Sequence, residues 1–117
     1  MEQALQEKEL SRIIAEFVNA LEKKISVTRV VLFGSYARGM AKSYSDIDLA
    51  VFSPDIGKGK RVDEIAFLLG VARTVNSRIE PIPFSDEELH QRDERRFSRH
   101  ICKVGKVVFD SNKRRAA

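Results

Sequence analysis

The residues that could carry out chemistry lie in one short stretch, Gly34-Ser35 and then Asp46-Ile47-Asp48 after ten intervening residues. A glycine that ends a strand lets a ligand approach the backbone. Ser35 then opens a short helical turn whose free N–H groups, together with its own hydroxyl, favour an anion such as phosphate. Asp46 and Asp48 are two residues apart, so on a strand both carboxylates project from the same face.

Two carboxylates held side by side repel each other unless a cation bridges them. Oxygen ligands of this kind suit Mg²⁺, which also takes substrate phosphates as ligands. Asp-x-Asp alone is common at strand ends and in turns, and Gly-Ser after a strand is less specific still. Their order in this chain, each beside an apolar strand, is a stronger signal. The combination predicts metal-assisted phosphoryl or nucleotidyl transfer.

The elements that must position these residues alternate between helices and strands. The first helix has an apolar stripe at helical spacing, formed by Leu10, Ile13, Ile14, Phe17, Val18, Leu21 and Ile25. In chain order the predicted elements are this helix, ending near Ser26; a buried strand over 27–33; a turn or two of helix from Ser35; a strand over 46–52; a helix over 62–76; an extended segment over 78–84; a charged helical region over 86–103, in one piece or two; and a last strand over 106–109. Two prolines restrict the segment over 78–84 to an edge or a short strand.

This order predicts an α/β (α+β) fold with one sheet of about four strands and helices mainly on one of its faces. No repeat or linker divides the chain, so we expect one domain over residues 1–110 and a disordered basic tail over 111–117. The tail holds Lys113, Arg114 and Arg115 and no acid, and thus most of the net charge of +4. A net charge of this kind indicates solubility and weak association before it indicates nucleic-acid binding.

Composition excludes several classes of protein. Cys102 is the single cysteine, which rules out an intrachain disulfide and a cysteine-based zinc site. No apolar run approaches the roughly 20 residues of a membrane helix, and the polar, acidic start is unlike a signal peptide. We therefore expect a cytoplasmic protein without a membrane partner.

The motif Gly34-Ser35-Tyr36-Ala37-Arg38-Gly39, followed by Ser45-Asp46-Ile47-Asp48-Leu49, closely resembles the signature of the minimal nucleotidyltransferases. These are small members of the DNA-polymerase-beta-like nucleotidyltransferase superfamily, here of the antitoxin type. The resemblance extends to Ile79-Glu80-Pro81-Ile82-Pro83 and to Gly105-Lys106-Val107-Val108, and so spans nearly the whole chain. It implies the mixed-sheet fold of that superfamily.

The resemblance also implies roles for individual residues. Ser35, with the backbone around Gly34, would bind the β- and γ-phosphates of ATP. Asp46 and Asp48 would be ligands of two catalytic ions, Mg²⁺ or Mn²⁺. Glu80 would be the third carboxylate of the metal site and help to deprotonate the attacking hydroxyl.

Arg38, one turn after Ser35, would contribute positive charge at the triphosphate. Other acids compete for the role of third carboxylate, and we interpret them as charges at the starts of helices. They are Asp63, Glu64, Asp86 and Glu87.

Minimal relatives are commonly paired with a HEPN-domain protein, a small helical ribonuclease toxin. The resemblance therefore implies an antitoxin that transfers AMP from ATP to a tyrosine of such a partner. A second hypothesis is a binding module that masks its partner, with a slow or inactive nucleotide site. Self-association stays open.

A third hypothesis is nucleic-acid binding through a stripe of arginines at helical spacing, Arg92, Arg95, Arg96 and Arg99. Acids interrupt the stripe, and no aromatic platform accompanies it. We do not expect a nucleic-acid partner.

Overall fold

The computed structural model describes residues 4–90 and 96–112, which form one four-stranded sheet with helices on both faces. The elements are α1 (Glu7–Glu22), β1 (Arg29–Phe33), α2 (Gly34–Ala37), β2 (Ile47–Ser53), α3 (Arg61–Arg73), β3 (Ile79–Ser85), a 3₁₀ helix (Asp86–His90), α4 (Phe97–Val104) and β4 (Lys106–Asp110). The predicted α+β class and the count of four strands are confirmed.

The sheet is mixed, with the strand order β3-β2-β1-β4. β1 runs antiparallel to both β2 and β4, whereas β3 runs parallel to β2. The carboxyl end of β1 therefore meets the amino ends of β2 and β3 at one end of the sheet. In register, Phe33 lies opposite Asp48, and Asp48 lies beside Glu80.

The main core lies between one face of the sheet and the helices α1 and α3. It is built from alternate residues of the strands, as the period of two requires, and from the buried stripe of α1. Its most buried side chains include Phe17, Leu21, Val30, Ile47, Leu49, Val51, Leu68 and Ile79.

The opposite face carries a smaller core beneath α4, which buries Ile101 against the sheet. Phe52 and Phe84 stack there with ring centroids 5.2 Å apart. The helices thus lie mainly on one face, as predicted, and α4 covers part of the other. Asp48 and Glu80 are at strand positions that face this second side of the sheet, two residues before Ala50 and Ile82.

The two edge strands differ in construction. β3 lies at one edge and contains Pro81 and Pro83, in agreement with the prediction that two prolines restrict this segment to an edge or a short strand. β4 forms the other edge, and its register against β1 shifts between Val30 and Val31, so the strand carries a bulge near Val108.

Element bounds differ from the predictions by a few residues, as is usual at helix ends. The first helix ends at Glu22, before the predicted end near Ser26. A turn follows it directly, and there the N–H of Ile25 bonds to the carbonyl of Leu21. The charged region after β3 is broken into the 3₁₀ helix and α4. Residues 91–95 and the tail from Lys113 on lie outside the described residues. Within the described ranges, no helix has the length and apolar character needed to span a bilayer.

Candidate active site

The predicted carboxylates gather where β1 ends and β2 and β3 begin. Asp48 is the second residue of β2, half-buried, and its cross-strand neighbours are Phe33 on one side and Glu80 on the other. Asp46 directly precedes β2 and is exposed, as is Glu80. Strand pairing thus brings together three acids separated by up to 34 positions in the chain.

Gly34 forms the wall against which Asp48 packs. Its φ of +74° lies in the left-handed region, where residues with side chains are strained. A Cβ built at Gly34 would overlap the Oδ2 atom of Asp48 and lie 3.0 Å from its Cγ. Only glycine can both turn the chain here and leave room for the carboxylate, and this links the two halves of the sequence motif.

The acids at this end of the sheet affect one another electrostatically. Burial raises the pKa of Asp48 above its ordinary value, and the negative charges of Asp46 and Glu80 raise it further. The site therefore holds more negative charge than its own surroundings neutralise. A cation placed among these carboxylates would relieve that repulsion.

The predicted phosphate-binding residues lie on α2, which starts at Gly34. Ser35 is half-buried, and its carbonyl accepts the N–H groups of Arg38 and Met40, at 3.2 and 2.9 Å. Arg38 is exposed at the C-cap of this one-turn helix. The structure thus places Ser35 one residue from the wall of the carboxylate site, and Arg38 three residues further on and exposed.

The carboxylates of Asp46, Asp48 and Glu80 offer only oxygen ligands, which suit a hard divalent ion. Among the described residues, however, no three His, Cys, Asp or Glu side chains converge into a closed metal-binding group. Magnesium is commonly held by one or two carboxylates together with waters and substrate phosphates. The open arrangement of Asp46, Asp48 and Glu80 fits that mode of binding better than an all-protein cage.

The other acids considered as third carboxylates lie elsewhere. Asp63 and Glu64 are in the first turn of α3, and Glu64 accepts the N–H of Gly57 at 2.6 Å. Asp86 follows the far end of β3 and accepts the hydroxyl of Thr28 at 2.9 Å. Glu87 is exposed on the 3₁₀ helix. Of the acids that were considered for this role, Glu80 alone is a cross-strand neighbour of Asp48.

The arginine stripe takes a different form from the predicted one. α4 begins at Phe97, so Arg96 is the N-cap residue and lies outside the helix. Its guanidinium bonds to Glu88 at 2.5 Å. Arg99 is half-buried in α4, and Arg92 and Arg95 lie outside the described residues. The predicted single helical face was therefore wrong for Arg96.

One residue that the sequence did not single out contacts several parts of the site. Arg78 directly precedes Ile79, the first residue of β3. Its Nη2 atom lies 3.3 Å from the hydroxyl of Tyr36 and 2.9 Å from the carbonyl of Ser45. The carbonyl of Ser43 accepts a further short bond from the same nitrogen. These contacts join residues 33 to 42 positions apart, and no local spacing signals them.

Comparison with known proteins agrees with the geometry. A family model described as "Nucleotidyltransferase domain" matches residues 12–103. A protein of Methanocaldococcus jannaschii named "putative protein adenylyltransferase" is 32% identical over 101 residues, which make up 84% of this chain and 96% of that protein. A second protein of that organism with the same description is 41% identical over 61 residues, which make up 50% of this chain and 41% of that protein.

Solved structures share the fold at low sequence identity. One, described as a putative nucleotidyltransferase from Sulfolobus solfataricus, has a TM-score of 0.67 at 20% identity and covers 90% of this chain and 84% of its own. Another, described as a toxin-antitoxin with AMP-PNP, has a TM-score of 0.52 at 21% identity and covers 89% and 76%. The family model matches most of the chain, and the relative at 32% identity is matched over 96% of its own length. The chain therefore belongs to the nucleotidyltransferase domain family.

Proposed function

We propose that the protein is a Mg²⁺-dependent adenylyltransferase that moves AMP from ATP to a hydroxyl group on a protein. The observation that supports this most directly is the packing of the Asp48 carboxylate against Gly34, with Glu80 beside it on β3. The turn that we propose to bind phosphate thereby lies directly beside the Asp48 carboxylate. The two relatives named as protein adenylyltransferases support a protein as acceptor.

Asp46 and Asp48 are the residues that would hold the metal, with Glu80 as the third oxygen ligand. When bound, the divalent ion neutralises phosphate charge and lowers the pKa of an attached hydroxyl. Carboxylate oxygens suit Mn²⁺ as well as Mg²⁺.

The chain's own groups bind and orient the nucleotide. The hydroxyl of Ser35 donates to a phosphate oxygen, and glycine at position 34 lets the Asp48 carboxylate pack against the same turn. Arg38 adds positive charge from the solvent side, which favours the departing pyrophosphate. These groups act by positioning and by charge, which is what phosphoryl-transfer chemistry asks of a protein.

In the transfer step the acceptor oxygen forms a bond to the α-phosphorus, and the bond from that phosphorus to the bridging oxygen of pyrophosphate breaks. Glu80 accepts the proton of the acceptor hydroxyl. The products are an adenylylated acceptor and pyrophosphate. An exposed carboxylate such as Glu80 can pass the proton on to solvent.

For the acceptor we propose a tyrosine of a HEPN-type toxin, with this protein as the antitoxin. The resemblance of the motif to antitoxin-type nucleotidyltransferases supports this assignment, and so does the likeness in fold to a chain from a toxin-antitoxin structure with AMP-PNP.

The test combines purified protein, ATP and Mg²⁺ with a HEPN-type partner, and the intact mass of the partner is measured. We expect one or more adenylyl groups on the partner, mapped to tyrosine, and none with Asp48→Asn. Asp63→Asn, which removes an exposed acid from α3, is the matched control and should transfer normally. A partner left unmodified by the unaltered protein would overturn the proposal. Full neutralisation of the toxin by an Asp46→Asn, Asp48→Asn double variant would instead favour the masking hypothesis.

A further inference from the structure

We infer that Arg78 is a positioning residue that holds the phosphate-binding turn and the carboxylates in one geometry. This inference rests on the proposed function for its kinetic consequences, but its structural basis is independent. Arg78 lies at the junction of the three segments that carry the site residues, and each of its contacts falls one to four residues from one of them.

The first contact fixes α2. The hydroxyl of Tyr36, a buried residue, lies 3.3 Å from Arg78 Nη2 and also accepts the N–H of Leu5 at 3.1 Å. Tyr36 directly follows Ser35. A displacement of its ring would therefore move the residue proposed to bind phosphate.

The second set of contacts fixes the loop that leads into β2. The carbonyls of Ser43 and Ser45 accept from Arg78 Nη2, and that of Lys42 lies 3.5 Å away. Three carbonyl dipoles that point at one nitrogen would repel one another without a cation, and charge-assisted bonds of this kind are stronger than neutral ones. Ser45 directly precedes Asp46. The bond to the Ser45 carbonyl therefore fixes the backbone position from which the Asp46 side chain extends.

The third connection is covalent and runs into β3. Arg78 is two residues before Glu80, and its own carbonyl accepts the N–H of Ile47 at 2.8 Å, which extends the pairing of β2 with β3. One side chain thus ties the positions of Ser35 and Asp46 to the strand that carries Glu80. Lysine keeps the charge and can donate from one nitrogen, but its flexible stem holds that nitrogen less firmly than the planar guanidinium holds Nη2.

The test compares Arg78→Met and Arg78→Lys with Arg12→Met. Arg12 forms exposed ion pairs with Glu9 and Glu16 on α1, so its loss removes the same charge from another surface. The affinity for ATP with Mg²⁺ is measured by calorimetry and KM and kcat by transfer, at a temperature where unfolding curves show each variant to be folded. We expect Arg78→Met to weaken nucleotide affinity and raise KM by about 10–100-fold, Arg78→Lys to fall between, and Arg12→Met to match the unaltered protein.

Hydrogen exchange supplies a readout that does not depend on activity. The Ser45 N–H, bonded to the Lys42 carbonyl at 3.1 Å, should exchange faster in Arg78→Met, by about tenfold. The Ile47 N–H bonds to the Arg78 backbone and should keep its protection, which makes it the internal reference. Unchanged exchange at Ser45 would overturn the inference, even if the unaltered protein proved to bind no nucleotide.

The two proposals fail in distinguishable ways. If the unaltered protein neither binds ATP with Mg²⁺ nor transfers AMP, the proposed function is overturned, and the exchange data alone decide on Arg78. If the unaltered protein is active and Arg78→Met keeps its KM and kcat, the positioning role is wrong. If Arg78→Lys equals the unaltered protein in every measurement, one cationic nitrogen makes these contacts, and the positioning role holds without the guanidinium.

Discussion

Asp48→Asn should make the protein more stable while it removes the proposed activity. The amide has nearly the same shape as the carboxylate but no charge. It therefore relieves both the cost of burying a charge and the repulsion from Asp46 and Glu80, the causes that raise the pKa of Asp48. Sites that bind a charged ligand commonly carry such a cost in stability.

The magnitude follows from the register of β2 and β3. Asp48 and Glu80 are cross-strand neighbours, and adjacent strands lie about 4.8 Å apart, so their carboxylates are about 6 Å apart when they splay. At that distance two unit charges repel by about 0.7 kcal/mol in bulk water and about 3 kcal/mol at an effective dielectric constant of 20. Because Glu80 is exposed, we expect a gain of about 1–2 kcal/mol in the free energy of unfolding.

The assay is urea unfolding at neutral pH in low salt, with Asp63→Asn as the control. Asp63 lies in the first turn of α3, where a negative charge is favourable, so its amide should cost up to about 1 kcal/mol. Added Mg²⁺ should stabilise the unaltered protein by mass action and leave Asp48→Asn unmoved. A variant that is less stable than the unaltered protein, or equal stabilisation of both by Mg²⁺, would refute the reasoning.

Three further outcomes are expected. Gly34→Ala should destabilise the protein by about 1–3 kcal/mol more than Gly39→Ala: both glycines have positive φ, but a Cβ at Gly39 meets open space whereas one at Gly34 meets a carboxylate; equal losses in urea unfolding would contradict this. Bonds from the Arg96 guanidinium and the Ser98 hydroxyl hold the pKa of Glu88 below its ordinary value. The Glu88 carboxylate therefore stabilises the fold above its unfolded-state pKa, and this contribution is lost as the pH falls through the lowered value. Glu88→Gln should thus be less stable by about 1 kcal/mol at neutral pH and equal at strongly acidic pH; a pH-independent difference in melting temperature would count against the bond. Burial raises the pKa of the Cys102 thiol, so a thiol reagent should label it at least about tenfold more slowly in the native than in the urea-unfolded chain, and equal rates would be inconsistent with a half-buried thiol.

The sequence predicted the elements well where a period or a breaker marks them. The apolar stripe predicted the helix α1, and the two prolines predicted that β3 is an edge or short strand. Each pattern depends only on residues near one another in the chain. Element ends were less certain, and the break between the 3₁₀ helix and α4 could not be placed, because both halves are similarly charged.

The site was predictable only in part. The expectation that Asp46 and Asp48 share a face came from the period of a strand, although Asp46 lies just before β2. The pairing of Asp48 with Glu80 depends on a register that no local pattern sets. Arg78 could not have been found, since its partners lie 33 to 42 positions away and are mostly backbone carbonyls, which any residue type supplies.

The construction of the two outer strands limits how another chain could join this one. Pro81 and Pro83 deprive β3 of two amide donors, and the bulge in β4 breaks the regular spacing that an incoming strand would have to match. Growth of the sheet by strand addition is therefore disfavoured on both sides. A macromolecule that offers a hydroxyl to the carboxylates is therefore not expected to bind as an added strand of this sheet.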